Sequence, residues 1–594
     1  MSAPEPSSIE APADEPKLIY KTKSIHSGQV DWQIRATHRG LSPRHVQLMA
    51  IAGGIGVGLF VGVGGVLRSA GPLPLLCGYL IYGLGFIWPL GLMVAEMVSW
   101  LPIRGSIYEL ASRYVDPALG FAMGWTYFFA GAMLVCAEYS AVATIAQYWT
   151  TSVSPAVFVA ACMIICYFFN MVAVRWYGET EFIMCSTKII LLVGLILATF
   201  ITMVGGNPRN DAYGFRNWMD GNLAHPYYTE GATGCFLSVC ISVRYAVFTI
   251  GGPDFISLAA GEIQNPRRTI PRVAKMIAVR LVSFYVLGVL AVGIICPSRS
   301  PRLLGAIEGG PSGAAASPWV IGLLTVGISN GLPDLINALI LLSGLSCGNA
   351  FLYAASRTLY SLAQDGQAPK ILLRCTKSGV PWVAVTTVTA ISLLTFLTAS
   401  NQASVVFGWF VDLTTVTLIV NFTAMTVVFI GWCRVLKAQG IPRLGKNNLT
   451  TTWWIRWTGR AIESSPRPND EHSEEGIVFP YIAPFASWIP YTSFGLGTVI
   501  TLCIGFDIFH PFSVRGFITS YFGLMWFTGM FAFWKVFKRT KFVNPATVDI
   551  YADGLKQQID KDCRMWEKPG AVEREQEMLK KMNPFTRLWI KIWN

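Results

Sequence analysis

Ionisable side chains stand inside long apolar stretches of this chain, where a charge is costly and by default marks a site or a pathway. Glu138 lies in Val135-Cys136-Ala137-Glu138-Tyr139-Ser140, and Lys188 follows Glu181-Phe182-Ile183-Met184 and precedes a continuous apolar run. A carboxyl at that depth can carry a proton or face a solute; a protonated, hydrogen-bonded structural glutamate is the rival reading. A desolvated lysine can exchange a proton, and a lysine snorkelling to the interface is its rival. Arg244 sits four residues before Phe248, on the same helix face. It points either to an outer vestibule, favouring a carboxylate-rich solute, or simply to the interface. Glu96 reads as a residue near a helix end, in a site or a structural role, and Asp507 as interfacial beside His510-Pro511, while the place of Asp412 stays open.

A second chemistry comes from backbone. Ala52-Gly53-Gly54-Ile55-Gly56-Val57-Gly58-Leu59 places four glycines in six positions of the first apolar stretch. Each weakens a helix by about 1 kcal/mol relative to alanine. The sixth stretch repeats the interruption at Phe248-Thr249-Ile250-Gly251-Gly252-Pro253-Asp254. Freed N–H groups at the start of a half-helix carry partial positive charge and suit a carboxylate. Carbonyls ending the preceding half-helix suit an ammonium group. A site with both is complementary to a zwitterion, with Phe248 placed to cover it or to pack in the core. Paired breaks in corresponding positions of two halves point to a solute site near the bilayer midplane.

The elements that must position these groups follow from composition. The chain has 594 residues, 53% hydrophobic and 13% charged, with mean hydropathy +0.47. That composition places it among polytopic membrane proteins. Twelve spans of membrane-crossing length are expected, at 46–70, 74–100, 119–148, 156–174, 182–204, 235–260, 277–297, 320–362 (one helix from about 333 with a lead-in), 382–400, 404–432, 484–507 and 516–537. The matched breaks suggest that spans 1–5 and 6–10 form an inverted repeat with helices 1 and 6 broken side by side. Residues 1–45 read as a disordered cytosolic tail without an apolar signal region, 46–540 as the transmembrane domain with a polar insertion at about 433–480, and 541–594 as a C-terminal tail.

The net charge of +12 does not imply nucleic-acid binding, because the basic residues gather in alternate loops. Arg267, Arg268 and Arg272, then Lys370, Arg374 and Lys377, then Lys535, Lys538 and Arg539 mark one side, and both termini fall on it. Thirteen cysteines without paired spacing read as small hydrophobes, and six histidines outside the spans offer neither a metal cluster nor a relay. No nucleophile–base pair can be assembled, so an enzyme is not expected, and no cofactor is. Lys17, Lys21 and Lys23 are tail lysines open to ubiquitin ligase machinery.

Arg44-His45-Val46-Gln47, the first glycine break and Ser112-Arg113-Tyr114-Val115-Asp116-Pro117-Ala118-Leu119-Gly120-Phe121 resemble the fungal amino-acid permeases of the amino acid–polyamine–organocation superfamily. So do Ala259-Ala260-Gly261-Glu262, Asn265-Pro266-Arg267-Arg268-Thr269-Ile270-Pro271-Arg272 and Tyr353-Ala354-Ala355-Ser356-Arg357-Thr358-Leu359-Tyr360. The likeness runs from residue 44 to about 550. It implies an all-α fold of twelve transmembrane helices with a five-plus-five inverted repeat (LeuT-like), and proton-coupled amino-acid uptake across the plasma membrane. It implies a substrate site along Gly53, Gly54, Ile55, Gly56, Val57 and Gly58, facing Phe248, Thr249, Ile250, Gly251, Gly252 and Asp254. The amides of Gly56, Val57 and Gly58 would meet the α-carboxylate, and carbonyls near Gly54, Phe248 and Gly251 the α-amino group. Lys188 would serve proton coupling, in agreement with the reading above of Lys188 and Glu138.

Two hydroxyls usual in the family are absent at Gly54 and Val57. Pro253-Asp254 replaces a Thr-Glu pair, and Arg244 replaces an uncharged residue. The substrate therefore stays open. The alternatives are a carrier of another amine or carboxylate and a non-transporting amino-acid sensor, although a sensor would be expected to carry a larger cytosolic N-terminal domain.

Overall fold

The computed structural model describes residues 55–103, 106–150, 152–172, 174–219, 221–251, 266–307, 317–329, 331–376, 379–400, 403–441, 479–484 and 487–550, with Ser257, Ala260 and Ile263 between. The N-terminal tail with its three lysines, most of the 433–480 insertion and the chain beyond Ile550 lie outside them. The described elements are helical. The apolar ones are α1 Gly58–Ala70, α2 Pro72–Trp100, α3 Pro117–Ala146, α4 Pro155–Met171, α5 Val174–Met203, α6 Gly231–Thr249, α7 Leu281–Ile295, α8 Leu332–Gln364, α9 Trp382–Ala399, α10 Ala403–Ala438, α11 Ile489–Ile508 and α12 Val514–Lys538, with shorter helices such as Ser106–Tyr114 and Pro266–Arg280 between them. Among the described residues nine of these are long and apolar enough to cross a membrane, while α1, α4 and α7 are shorter apolar helices.

Proline sets several starts. Pro72, Pro117, Pro155 and Pro333 occupy the first turn of α2, α3, α4 and α8, where the missing N–H has no intrahelical partner to lose. Asp116 caps α3 by accepting the Ala118 amide at 2.7 Å. The lead-in expected before residue 333 is the short helix Pro318–Thr325. Span 6 stops at Thr249 rather than 260, and span 10 runs on to Ala438, so the helix enters the predicted insertion by one and a half turns.

At the centre lies α3, between α8 and α10. Of its most apolar stretch 94% is buried, against 11% for α12, which flanks α10 and α3 at the periphery. Small residues allow the central approach: a Cβ at Gly131 would touch the Ala355 Cβ at 3.0 Å. The face left outside is apolar, with Ile164, Phe168, Ile190 and Phe200 exposed, as suits lipid contact. The chain is a multi-pass membrane protein.

Candidate functional site

Ile55 and Gly56 are non-helical, and helical dihedrals begin at Val57 (φ −60°, ψ −23°). The helix opens with a wide turn over Gly58–Gly62. The first amides of a helix have no carbonyl partner within it, which is where a helix is electropositive. From the other direction α6 ends at Thr249, Ile250 turning extended (φ −100°, ψ 92°) with its N–H on the Ala246 carbonyl at 2.9 Å. The two ends touch. The Tyr245 hydroxyl donates to the Gly58 carbonyl at 3.2 Å, and a Cβ at Gly58 would lie 2.6 Å from Thr249 Cγ2 and 3.0 Å from Phe248 Cε1. Glycine at 58 is what lets the positive end of α1 and the negative end of α6 meet. Thr249 Oγ1 donates to the buried Tyr79 hydroxyl at 2.8 Å, anchoring this corner to α2.

Gly56, Val57, Gly58, Phe248, Thr249, Ile250 and Gly251 are thus grouped around one junction, whereas Gly53, Gly54, Gly252 and Asp254 lie outside the described residues. Phe248 is buried, edge-on to Phe407 of α10 with ring centroids 6.0 Å apart, and 5.9 Å from Tyr245. The wall over the junction is aromatic.

Beneath it stand the two ionisable candidates. Glu138 of α3 and Lys188 of α5 are 3% and 1% exposed, so neither reaches an aqueous surface here. The Val57 amide donates to the Glu138 carboxyl, and Glu138 Oε1 comes so close to Gly56 that a Cβ there would meet it at 2.5 Å. The other oxygen, Oε2, is buried with no hydrogen-bond partner among the described residues. Lys188 Nζ donates to Cys347 Sγ at 3.0 Å, and Cys347 donates in turn to the Ile55 carbonyl at 3.2 Å. Ser343 Oγ reaches the same carbonyl at 3.4 Å. Through Cys347 of α8, the lysine is therefore linked to the residue where α1 breaks. Cys347 departs from the expectation that the cysteines act as plain hydrophobes, because its Sγ accepts from the Lys188 ammonium.

Arg244 is not an isolated cation. It bonds Asp412 of α10 at 2.7 Å and Asp507 of α11 at 3.3 Å, and reaches Ser520 Oγ of α12 at 3.4 Å. Tyr227 also donates to Asp507, at 2.8 Å. Glu96 accepts the Trp432 indole N–H at 3.3 Å and the Ala483 amide at 2.7 Å, a structural tie. Sequence patterning missed Tyr79, Tyr245, Cys347 and Phe407. None has a cost in an apolar helix that would single it out, and their partners lie far away in sequence.

Residues 45–464 match the family described as Amino acid permease. The chain is 36% identical over 533 residues to the proline-specific permease of Emericella nidulans, covering 89% of this chain and 90% of that one. With a probable proline-specific permease of Schizosaccharomyces pombe it shares 38% identity over 516 residues, 85% and 87% of the two chains. With the dicarboxylic amino acid permease of Saccharomyces cerevisiae it shares 32% over 519 residues, 86% and 79%. By that family match and these relatives, this chain belongs to the amino acid permease family.

Proposed function

We propose that the chain imports an amino acid across the plasma membrane in symport with a proton. The observation that carries this reading is the meeting of the α1 start and the α6 end beside Glu138 and, through Cys347, Lys188. The Gly56 and Gly58 amides receive the substrate carboxylate, the Val57 amide being engaged by Glu138. Carbonyls at the end of α6 receive the amino group, aided by Glu138 Oε2. Gly53, Gly54, Gly252 and Asp254 complete the junction in this proposal. Twelve spans in a five-plus-five inverted repeat, with both termini cytosolic, rock α1 and α6 around the fixed site in alternating access.

The aromatic wall of Phe248, Phe407 and Tyr245 favours a compact apolar side chain. Proline, named for two of the relatives, is the substrate proposed. Arg244 is proposed to influence selectivity by holding α6 against α10 and α11, since Asp412 and Asp507 already meet its charge. Radiolabelled proline, glutamate and lysine offered to a permease-deficient yeast, with and without a protonophore, test this directly. Proline uptake abolished by the protonophore is expected. Uptake indifferent to it removes the proton, glutamate preference removes the apolar assignment, and no uptake of any amino acid favours a sensor.

A further inference from the structure

One buried carboxyl has no place in that mechanism. Glu181 of α5 is 2% exposed and lies seven residues before Lys188. Seven residues are about two helical turns, roughly 10 Å of rise on one face. Helical side chains lean toward the N-terminus, so the long lysine stem leans toward Glu181. The facing helix α8 serves both groups from adjacent positions: Ser346 Oγ donates to Glu181 Oε1 at 2.8 Å, while Cys347 accepts from Lys188. Asn349 Nδ2 donates to Glu181 Oε2 at 3.4 Å, and its Oδ1 is held by Asn170 of α4 at 2.8 Å. Among the described residues, the hydrogen-bond partners of Glu181 are neutral. Two neutral hydrogen bonds only partly offset the cost of burying an ionised carboxyl, so this glutamate either holds a proton or draws on the nearby charge of Lys188.

We propose that Glu181 is the inner proton acceptor of Lys188, extending the coupling path from Glu138 and Lys188 toward the cytosolic side. The inference rests on the proton-symport reading above. In the step, an N–H bond of the Lys188 ammonium breaks and an O–H bond to Glu181 forms, the electron pair staying on nitrogen. The lysine is left neutral and the carboxylate becomes an acid. Once the inner side opens, that acid gives its proton to water and the carboxylate is restored. The titratable groups that face Glu181 are Lys188 and Cys185 on its own helix, Cys166 on α4 and Cys347 on α8, with Glu138 of α3 beyond Cys347.

The test uses the full chain in proteoliposomes with radiolabelled proline as probe. Glu181→Gln keeps the acceptor for Ser346 and removes the ability to take a proton. Proton-gradient-driven uptake should fall at least tenfold, while proline–proline counterflow, which needs no net proton movement, stays within twofold of wild type. Glu181→Asp should recover part of the driven uptake. Driven uptake of Glu181→Gln within twofold of wild type overturns the proposal. So does parallel loss of driven uptake and counterflow, which assigns Glu181 a structural role. Wild-type uptake that ignores the gradient instead sinks the symport reading itself, and the two failures are distinguishable.

Discussion

Gly56 and Gly65 sit nine residues apart in the same stretch of chain, yet the same added methyl group should do opposite things at the two positions. A Cβ at Gly56 meets Glu138 Oε1 at 2.5 Å and Cys347 Sγ at 3.3 Å, whereas one at Gly65 meets nothing within 4 Å. The obstacle at Gly56 is the tip of a side chain that can swing aside, so Gly56→Ala should cost stability only about 1 kcal/mol, at the low end of overpacking. Swinging aside breaks the Val57–Glu138 bond, and uptake should fall more than tenfold with little change in thermal unfolding. Gly65→Ala should keep uptake and gain up to about 1 kcal/mol from helix propensity. Cys347→Ala makes the complementary case. It leaves Lys188 without its thiol acceptor, and a buried group stripped of a partner costs about 1–3 kcal/mol. Unfolding in detergent and uptake should both suffer, with Cys347→Ser milder. Glu138 and Lys188 were legible in the sequence because a charge in an apolar run is conspicuous. Cys347 was not, since a thiol costs almost nothing there and its partners Ile55 and Lys188 stand 292 and 159 residues away.

Between elements, α6 is held by charge little more than one turn before its break. Arg244 reaches α10 and α11 through side chains that are 17%, 31% and 19% exposed for Arg244, Asp412 and Asp507. Partial exposure lowers the penalty for breaking a fully buried pair, so Arg244→Ala should cost about 1–3 kcal/mol. A double-mutant cycle with Asp412→Ala should return part of it, read from unfolding of the purified protein. If the proline-to-glutamate uptake ratio is unchanged in Arg244→Ala, its selectivity role falls. The loop between α5 and α6 adds a pH-dependent tie. The His225 amide bonds the Ala70 carbonyl at 2.8 Å, Nε2 meets Ser298 Oγ at 2.8 Å, and Arg299 donates to Nδ1 at 3.4 Å. An Nδ1 that accepts from arginine requires a neutral ring. Burial first, then Arg299 and Arg68, hold the imidazole below its ordinary range. The unfolded chain therefore takes up the proton more readily, and the stability from His225 is full above about pH 6.5 and lost as pH falls through that value toward the lower folded one. Thermal unfolding of wild type should drop between pH 7 and pH 5 more than that of His225→Gln. The two helix breaks were legible from their glycines. This loop contact was not, because nothing in the spacing of His225 announces Ser298.

Across the whole molecule, stability and transport should separate by location. The face on which α2, α10 and α12 end is strapped by chain that returns to it. Val543 donates its amide to the Val115 carbonyl at 2.9 Å, Trp100 Nε1 reaches the Ile550 carbonyl at 3.2 Å, and Gln439 Nε2 holds the carbonyls of Pro545 and Val548 at 3.2 and 2.7 Å. Asp116 is the knot. Besides capping α3 it pairs with Lys535 of α12 and accepts from Thr540 Oγ1 at 2.9 Å. These contacts tie α2, α3, α10 and α12, which in the proposed mechanism are the frame and not the moving part. Asp116→Asn keeps an oxygen for the cap and weakens only the pairing with the partly exposed Lys535, a loss of about 1 kcal/mol or less. Asp116→Ala loses cap and pair together, about 2 kcal/mol. Both should lower the midpoint of thermal unfolding in that order, and neither should change the KM for proline or the protonophore response per folded molecule. Gly56→Ala should show the reverse. If Asp116→Ala alters KM as strongly as it alters stability, frame and site are coupled, and a rigid frame around α1 and α6 is the wrong description.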